Sequence, residues 1–138
     1  MLKYMLDTNT CIYAMKYRPV RVRKKFTKHS EQLCISAVTA MELLFGAEKS
    51  QNRDKSLAIT YDFISNVKVL DYGLAAATYT GQIRAELQKL GQPIGAADTM
   101  IAGHARAVGL VLVTNNTREF KRVARLPIED WVPTVSKP

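Results

Sequence analysis

The sequence predicts a single α/β domain, in which helices flank a central, mostly parallel sheet of four or five strands. Three observations favour it. Short apolar runs alternate along the chain with longer helix-like segments, as in right-handed strand–helix–strand units. The run at 110–114 is unbroken apart from its final Thr, which is typical of a parallel strand buried on both faces. The 138 residues, 47% of them hydrophobic, are enough to bury one substantial core.

The predicted strands are short apolar runs, at residues 2–6, 32–35, 67–70, 110–114 and 128–132. The predicted helices lie between them, at 8–16, 20–28, 37–49, 53–65, 74–90 and from 94 or 95 to 108. No internal repeat, low-complexity segment or linker divides the sequence. We therefore expect one domain over residues 1–138.

Polar residues and proline mark the helix boundaries in the first half of the chain. Asp7, Thr8 or Asn9 can cap the first helix, because their side chains accept hydrogen bonds from its free amides. Pro19 separates that helix from the second, which is strongly basic. Ser36 is the expected N-cap of the helix that follows the second strand.

Glycine ends two of the later helices. The segment at 53–65 has a mixed apolar pattern that we assign to a helix. The Ala-rich helix at 74–90 stops at Gly91, because glycine readily adopts the left-handed conformation that ends a helix. The next helix stops in the same way at Gly109.

The composition narrows the choice of partners. Lys and Arg number 20 against 12 Asp and Glu, and a net charge of +8 favours a polyanion such as nucleic acid or an acidic protein. Cys11 and Cys34 lie in apolar settings without metal-ligand spacing, so we interpret them as small buried hydrophobic residues. With neither a secretory signal nor a run of about 18 apolar residues, we expect a cytoplasmic protein and no membrane association.

Four acidic residues lie where predicted strands end or predicted helices begin: Asp7, Glu42, Asp98 and Glu119. Parallel sheets bind ligands outside the carboxyl ends of their strands. Glu42 and Asp98 stand in almost wholly apolar segments, where a lone charge is costly unless it is paired or metal-bound. The pattern predicts a shared site for a hard divalent cation. Each residue also has a structural alternative: an N-cap for Asp7, a favourable helix dipole for Asp98, and solvent or an Arg partner for Glu42.

The fourth ligand position stays open at this stage. Either Asn116 or Glu119 can reach a metal, directly or through water, while Thr114 and Asn115 can orient the ligands. An ordinary turn explains the Asn-Asn pair equally well.

Taken together, four motifs in this order carry a family resemblance. They are residues 6–9, 36–46, 98–105 and 113–120, and the similarity continues to 128–131 near the end of the chain. The sequence resembles the PIN-domain ribonucleases and, more narrowly, the VapC toxins of bacterial type II toxin–antitoxin modules.

The resemblance implies that Asp7, Glu42, Asp98 and Glu119 are catalytic, metal-binding carboxylates. Many PIN domains have an Asp two residues after the strand-ending Thr, where this chain has Asn116. The fourth ligand is therefore Asn116, Glu119 or a water held by both. An all-oxygen shell suits Mg²⁺, for which Mn²⁺ substitutes. Such an ion polarises the scissile phosphate and helps to convert a bound water into the nucleophile.

The resemblance also implies the substrate and the partners. The substrate is RNA, namely initiator tRNA cut in its anticodon stem-loop, which inhibits translation. The partners are a second copy of the chain and a VapB-type antitoxin, whose tail covers the site in a toxin–antitoxin hetero-oligomer. The residues that we expect to contact or orient the substrate are Thr8, Asn9, Thr114, Asn115, Arg21 and Lys24.

Two alternatives remain. The segment Asp7-Thr8-Asn9-Thr10 resembles the DxDx(T/V) loop of Mg²⁺-dependent phosphatases of the haloacid-dehalogenase type, although Asn9 replaces their general acid. The second alternative is a non-catalytic RNA-binding or regulatory module, in which the carboxylates serve only as caps and ion pairs.

Overall fold

The computed structural model describes residues 1–17 and 19–132. Within them the strands are β1 Tyr4–Leu6, β2 Leu33–Ser36, β3 Lys68–Leu70, β4 Val111–Val113 and β5 Ile128–Glu129. The α-helices are α1 Thr8–Ile12, α2 Val20–Lys28, α3 Ala37–Glu48, α4 Arg53–Ser65, α5 Leu74–Lys89, α6 Ala96–Val108 and α7 Thr117–Phe120. A π-helical turn, Tyr13–Tyr17, continues α1, and a 3-10 turn, Ser30–Gln32, follows α2. None of the helices in this part of the chain has the length and apolar content needed to cross a membrane.

The five strands form one sheet in the order β3-β2-β1-β4-β5, and every neighbouring pair is parallel. β1 is central: Tyr4 pairs with Leu33 of β2 on one side and Val111 of β4 on the other. The prediction of a mostly parallel sheet of four or five strands is confirmed. Its carboxyl edge collects the residues that follow β1 and β4, the two neighbouring central strands.

Hydrophobic side chains pack on both faces of the sheet. On one face, Met5 and Leu112 meet Ile83 of α5 and Ile101 of α6. On the other face, a second cluster forms around Leu6 and the helices α1 and α3. Because side chains alternate along a strand, β1 to β4 each supply both clusters, and the sheet is covered on both sides as its apolar strands require.

Both cysteines are buried and free, as the sequence predicts. Cys11 belongs to one cluster and Cys34 to the other. Burial raises the pKa of the Cys34 thiol to about 12 and raises that of Cys11 as well. Neither side chain is a reactive thiolate near neutral pH.

Two predicted element ends differ from the structure by more than two residues, and one short helix was not predicted. α1 ends at Ile12 and continues as the π-helical turn, where an α-helix to Lys16 was expected. α7 was assigned to no element, because a helix of four residues leaves no periodic pattern in the sequence. β5 stops at Glu129, since beyond it Trp131 leaves the ladder and packs against the rings of His29 and Tyr4.

The helix ends follow the predicted chemistry. Ser36 is the N-cap of α3, and its hydroxyl accepts a hydrogen bond from the Val38 amide at 3.1 Å. Gly109 ends α6 with φ +69°, a conformation that glycine adopts at little cost. Gly91, with φ +67°, directly follows Leu90, the C-cap of α5.

Candidate active site

Asp7 occupies the carboxyl end of β1 and is only 2% exposed. Its amide donates to the carbonyl of Val113 at 3.0 Å, which extends the pairing with β4 by one residue. Its Oδ1 accepts from the Thr10 amide at 2.8 Å and so caps α1. Burial raises the pKa of Asp7, although hydrogen bonds from Thr114 and Thr10 act in the opposite direction. The predicted cap exists, and the same carboxylate faces the carboxyl edge of the sheet.

Asp98 lies in the first turn of α6. The causes of its pKa shift identify the charged residues nearby. Its pKa is raised to about 6, first by burial and then by the negative charges of Asp7, Glu42 and Glu119. Asp98 therefore lies close enough to carboxylates of three other segments for each of them to disfavour its charged form.

Glu42 is half-buried in the second turn of α3. Its Oε1 accepts a hydrogen bond from the Thr8 hydroxyl at 2.5 Å, a length typical of a charge-assisted bond between a hydroxyl and a carboxylate. Within the described residues, the acidic members of the ion pairs are Glu48, Asp54 and Glu86. The Arg partner considered for Glu42 is thus not found in that part of the chain.

Glu119 and Asn116 are the two candidates for the fourth ligand, and their surroundings differ. Glu119 is half-buried in α7, and its charge contributes to the raised pKa of Asp98. Asn116 is the residue before α7, and its amide donates to the Thr114 hydroxyl at 2.9 Å, while its side chain makes no capping bond. Glu119 is therefore an electrostatic member of the cluster, whereas Asn116 borders it.

Threonines hold two of the carboxylates. Thr114 is fully buried; it bonds the Asp7 carboxylate and accepts from the Asn116 amide. Thr8 holds Glu42 in the same manner. Of the other residues expected to contact substrate, Asn9 is exposed on α1 and Asn115 is half-buried after β4.

Sequence reasoning missed Asp130 and Thr10. Asp130 follows β5, and its negative charge adds to the raised pKa of Asp7. Site residues were expected directly after the predicted strands. If β5 had been predicted to end at Glu129, Asp130 would therefore have been a candidate. Thr10 donates from its amide to the Asp7 carboxylate and from its hydroxyl to the Val113 carbonyl. It was overlooked because neither bond leaves a pattern in the sequence.

The basic residues expected to contact phosphates lie on α2. Arg21 and Lys24 are exposed there, and neither belongs to an ion pair of the described residues. α2 packs through its apolar side, where Val22 is buried and Phe26 contacts the rings of Phe63 and Trp131. Its charged side is thereby left to solvent.

The donor set fits a hard divalent cation by its chemistry. All of the clustered groups offer oxygen, which Mg²⁺ and Mn²⁺ prefer. The excess negative charge that raises the pKa of Asp98 is the charge that a cation would balance. As the side chains stand, no three His, Cys, Asp or Glu groups among residues 1–17 and 19–132 are gathered tightly enough to enclose an ion.

Comparison with known proteins gives a consistent result. A family model described as "PIN domain" matches residues 4–126. A protein named tRNA(fMet)-specific endonuclease VapC from Shigella flexneri is 58% identical over 131 residues, which cover 95% of this chain and 99% of that protein. Its namesake from Salmonella typhimurium is 54% identical over the same shares, and ribonuclease VapC2 from Haemophilus influenzae is 48% identical over 96% of this chain and 100% of its own.

Solved structures agree. A chain in the crystal structure of DNA-bound VapBC from Salmonella typhimurium superposes with a TM-score of 0.93 at 54% identity, covering 96% of this chain and all of that one. A chain of VapBC2 from Rickettsia felis, bound to a DNA fragment from its promoter, has a TM-score of 0.90 at 34% identity, covering 95% of this chain and 100% of its own.

Proposed function

The chain belongs to the PIN-domain family and is a VapC ribonuclease within it, and from that premise we propose its catalytic centre, the metal ion that the centre binds and the RNA that it cuts. The observation that carries the proposal is the environment of Asp98, where three further carboxylates lie without a basic partner among the described residues. We propose this cluster as the catalytic centre. Family membership excludes the phosphatase and the non-catalytic RNA-binding module as readings of the sequence.

A divalent cation completes the proposed centre. Metal dependence is standard among PIN-domain ribonucleases, and the all-oxygen donor set supports Mg²⁺, with Mn²⁺ as a substitute. Asp7, Glu42 and Asp98 would hold the ion, with Glu119 or Asn116 as the fourth ligand. When bound, the ion supplies positive charge that polarises the scissile phosphate and activates a water.

The residues of the chain prepare this centre in specific ways. Thr10 and Thr114 fix the carboxylate of Asp7, and Thr8 fixes that of Glu42. Asp98 retains a proton more readily than an ordinary aspartate and gives it up when positive charge arrives. These amide and hydroxyl donors thus keep the two carboxylates oriented while no cation balances the negative charge.

We propose initiator tRNA as the substrate, cut in its anticodon stem-loop. Two relatives, at 58% and 54% identity, carry the name tRNA(fMet)-specific endonuclease. The unpaired nucleotides of such a loop expose their bases and backbone to a cleft. Arg21 and Lys24 of α2 would bind its phosphates, which makes binding strongly dependent on salt. The cut would stop translation in the cytoplasm.

A VapB-type antitoxin is the proposed partner, because the similar solved structures are VapBC complexes. A cavity of about 360 Å³ between the π-helical turn, α2 and α4, with both apolar and polar side chains in its lining, offers a place for one of its segments. It is lined by Met15, Val22, Phe26, Ile59 and Phe63 among others. We propose that the toxin forms a homodimer and that antitoxin binding yields a hetero-oligomer.

Cleavage of defined RNAs tests the nuclease proposal. Purified protein is incubated with initiator tRNA and, separately, with elongator methionine tRNA, in Mg²⁺, in Mn²⁺ and in EDTA, and the new ends are mapped by sequencing. We expect a single cut in the anticodon stem-loop of initiator tRNA, in either metal, and none in EDTA.

Matched variants identify the centre. Glu42→Gln removes a clustered carboxylate, whereas Glu48→Gln removes an exposed one from the same helix, where it bonds Arg53. The first should nearly abolish cleavage while RNA binding persists, and the second should cleave normally because a surface ion pair contributes little. Equal loss in both variants, or cleavage by Asp98→Asn at the normal rate, would refute the assignment of the centre.

A further inference from the structure

His104 is a buried histidine outside the carboxylate cluster, with a hydrogen-bond partner at the junction of a strand and another helix. It lies on α6 and is 2% exposed. Its Nδ1 is 2.7 Å from the hydroxyl oxygen of Ser36, a residue 68 positions away in sequence. This bond joins α6 to the point where β2 ends and α3 begins.

Ser36 uses its hydroxyl twice. The oxygen accepts from the Val38 amide as the N-cap of α3, and the same hydroxyl bonds the Nδ1 of His104. Burial lowers the pKa of His104, so the ring is neutral near pH 7; the hydroxyl donates to Nδ1 in the tautomer that carries its proton on Nε2 and accepts from Nδ1 in the other. In either tautomer the Ser36 hydroxyl and the Nδ1 of His104 are paired inside the protein.

The bond has a defined relation to two carboxylates. On α3, Glu42 lies six residues after Ser36; on α6, Asp98 lies six residues before His104. Six residues of helix span about 9 Å. Because Glu42 is also close to Asp98, the two helices pass each other in opposite senses, with one contact at each end. Sliding one helix along the other would change both contacts together.

α6 also packs closely against α5, through the residue that precedes His104. Gly103 packs so closely on α5 that a Cβ atom there would be 2.7 Å from the Thr80 Cα. The His104 ring meets the edge of the Tyr72 ring at 5.6 Å, and the Tyr72 hydroxyl donates to that of Thr80 at 2.8 Å. With α5 on one side, the bond to Ser36 determines where α6 stands relative to α3.

We propose that His104 and Ser36 are positioning residues: their buried hydrogen bond sets the register of α6 against α3, and thereby the spacing of Asp98 and Glu42 for a divalent cation. The inference rests on the proposed metal centre. Neither residue touches the substrate in this account. Both act through the helices that carry the carboxylates.

A histidine that only filled the core would affect stability without affecting the cation. The test therefore measures Mn²⁺ binding by isothermal titration calorimetry on the intact chain, together with the melting temperature. His104→Leu removes the hydrogen bond, whereas His104→Asn places an amide atom near the position of Nδ1 and can restore it. Ile83→Val, at a buried core position of α5, is the control that lowers stability without removing the bond between His104 and Ser36.

We expect His104→Leu to bind Mn²⁺ about tenfold more weakly, as is found when groups that orient metal ligands are removed. His104→Asn should recover most of that loss, and Ile83→Val should bind Mn²⁺ normally at a lower melting temperature. If His104→Leu does not fold, Ser36→Ala and Ser36→Thr make the same comparison, because threonine keeps the hydroxyl.

The outcomes separate this inference from the proposed centre. Normal Mn²⁺ affinity in His104→Leu or Ser36→Ala overturns the positioning role alone, and so does an equal loss of affinity in Ile83→Val. Absence of Mn²⁺ binding by the unaltered protein overturns the metal centre and the positioning role with it. Loss of binding in Asp98→Asn, measured alongside, shows that the titrated ion occupies the carboxylate cluster.

Discussion

The hydroxyl of Thr8 donates to the carboxylate of Glu42 at 2.5 Å, across 34 positions of sequence. Thr8 directly follows Asp7, and Glu42 stands on the helix that follows the neighbouring strand. A single hydrogen bond therefore ties the β1–α1 junction to α3 beside the acidic cluster. The bond holds in place the carboxylate of Glu42, which has no ion-pair partner among the described residues.

Replacing Thr8 tests whether this bond matters for cleavage. Thr8→Val keeps the shape of the side chain but removes the donor, so Glu42 loses its orientation. We expect kcat/KM for tRNA cleavage to fall about tenfold or more, the scale found when a partner of a metal ligand is removed. Thr8→Ser keeps the hydroxyl and should stay within a few-fold of the unaltered protein. Similar rates for Thr8→Val and Thr8→Ser would show that the bond is dispensable.

Gly103 provides a prediction about the scaffold. A Cβ atom there would lie 2.7 Å from the Thr80 Cα and from its amide nitrogen, and backbone atoms cannot rotate away. Gly103→Ala should lower the free energy of unfolding by about 3 kcal/mol, at the upper end of the usual cost of overpacking. Urea denaturation measures it.

Gly81→Ala is the matched control for that measurement. Gly81 lies inside α5, and no atom is within 4 Å of the position that its Cβ would take. Alanine favours a helix interior over glycine by about 1 kcal/mol, so this variant should be slightly more stable. A Gly103→Ala protein as stable as Gly81→Ala would mean that α5 and α6 can move apart freely.

Asp98 predicts how stability changes with pH in the metal-free protein. Its pKa rises from an ordinary value of 3.8 to about 6 in the folded state, so the folded protein holds this proton more tightly than the unfolded chain does. The contribution of Asp98 is therefore fully present below its ordinary pKa and is lost as pH rises through about 6. Asp98→Asn removes the ionisation.

The melting temperature of Asp98→Asn should accordingly exceed that of the unaltered protein by more at about pH 7.5 than at about pH 4.5. Comparing the two proteins at each pH cancels the titration of the groups outside the carboxylate cluster. Added Mg²⁺ should narrow the gap at the higher pH, because it stabilises only the protein that retains the full carboxylate set. A gap that is constant across pH would contradict the raised pKa.

The sequence predicted most of the fold because its signals are local. Apolar runs, caps at Ser36 and Asp7, and a terminal glycine at Gly109 each depend on a few neighbouring residues. The approach of the four carboxylates was predictable in the same way, since parallel strands bring their carboxyl ends to one edge. Asp130 and the short helix α7 were not predicted, because β5 has only two residues and α7 only four.

Contacts between distant helices were beyond sequence reasoning. Nothing in the sequence pairs His104 with Ser36, or brings Gly103 against Thr80. These contacts arise from how the packed helices pass each other, which depends on the shapes of many side chains together. Sequence patterns therefore locate the carboxylates, and packing determines their spacing.

Asn116 provides a prediction about cation affinity. It borders the cluster at the position where many PIN domains have an Asp, and its backbone is already fixed by the bond to Thr114. Asn116→Asp adds a negative charge beside the site, so half-maximal cleavage should require less Mg²⁺. Asn115→Asp adds the same charge at the neighbouring residue and controls for simple electrostatics. Equal shifts in both variants would indicate a general field effect, with no ligand role for residue 116.

Arg21 and Lys24 provide the last prediction, on RNA binding. Both are exposed on α2, and each phosphate contact that is lost should reduce the slope of log K against log salt by about 0.7, the value for single strands. The Arg21→Gln and Lys24→Gln double variant should therefore bind tRNA more weakly and depend less on salt, as measured by fluorescence anisotropy from low to high KCl.

Lys55→Gln and Lys89→Gln together remove the same charge from other exposed helix positions. Because net charge acts equally in both double variants, a smaller slope only in the α2 variant would locate phosphate contacts on that helix, whereas matching slopes would leave α2 a solvated surface.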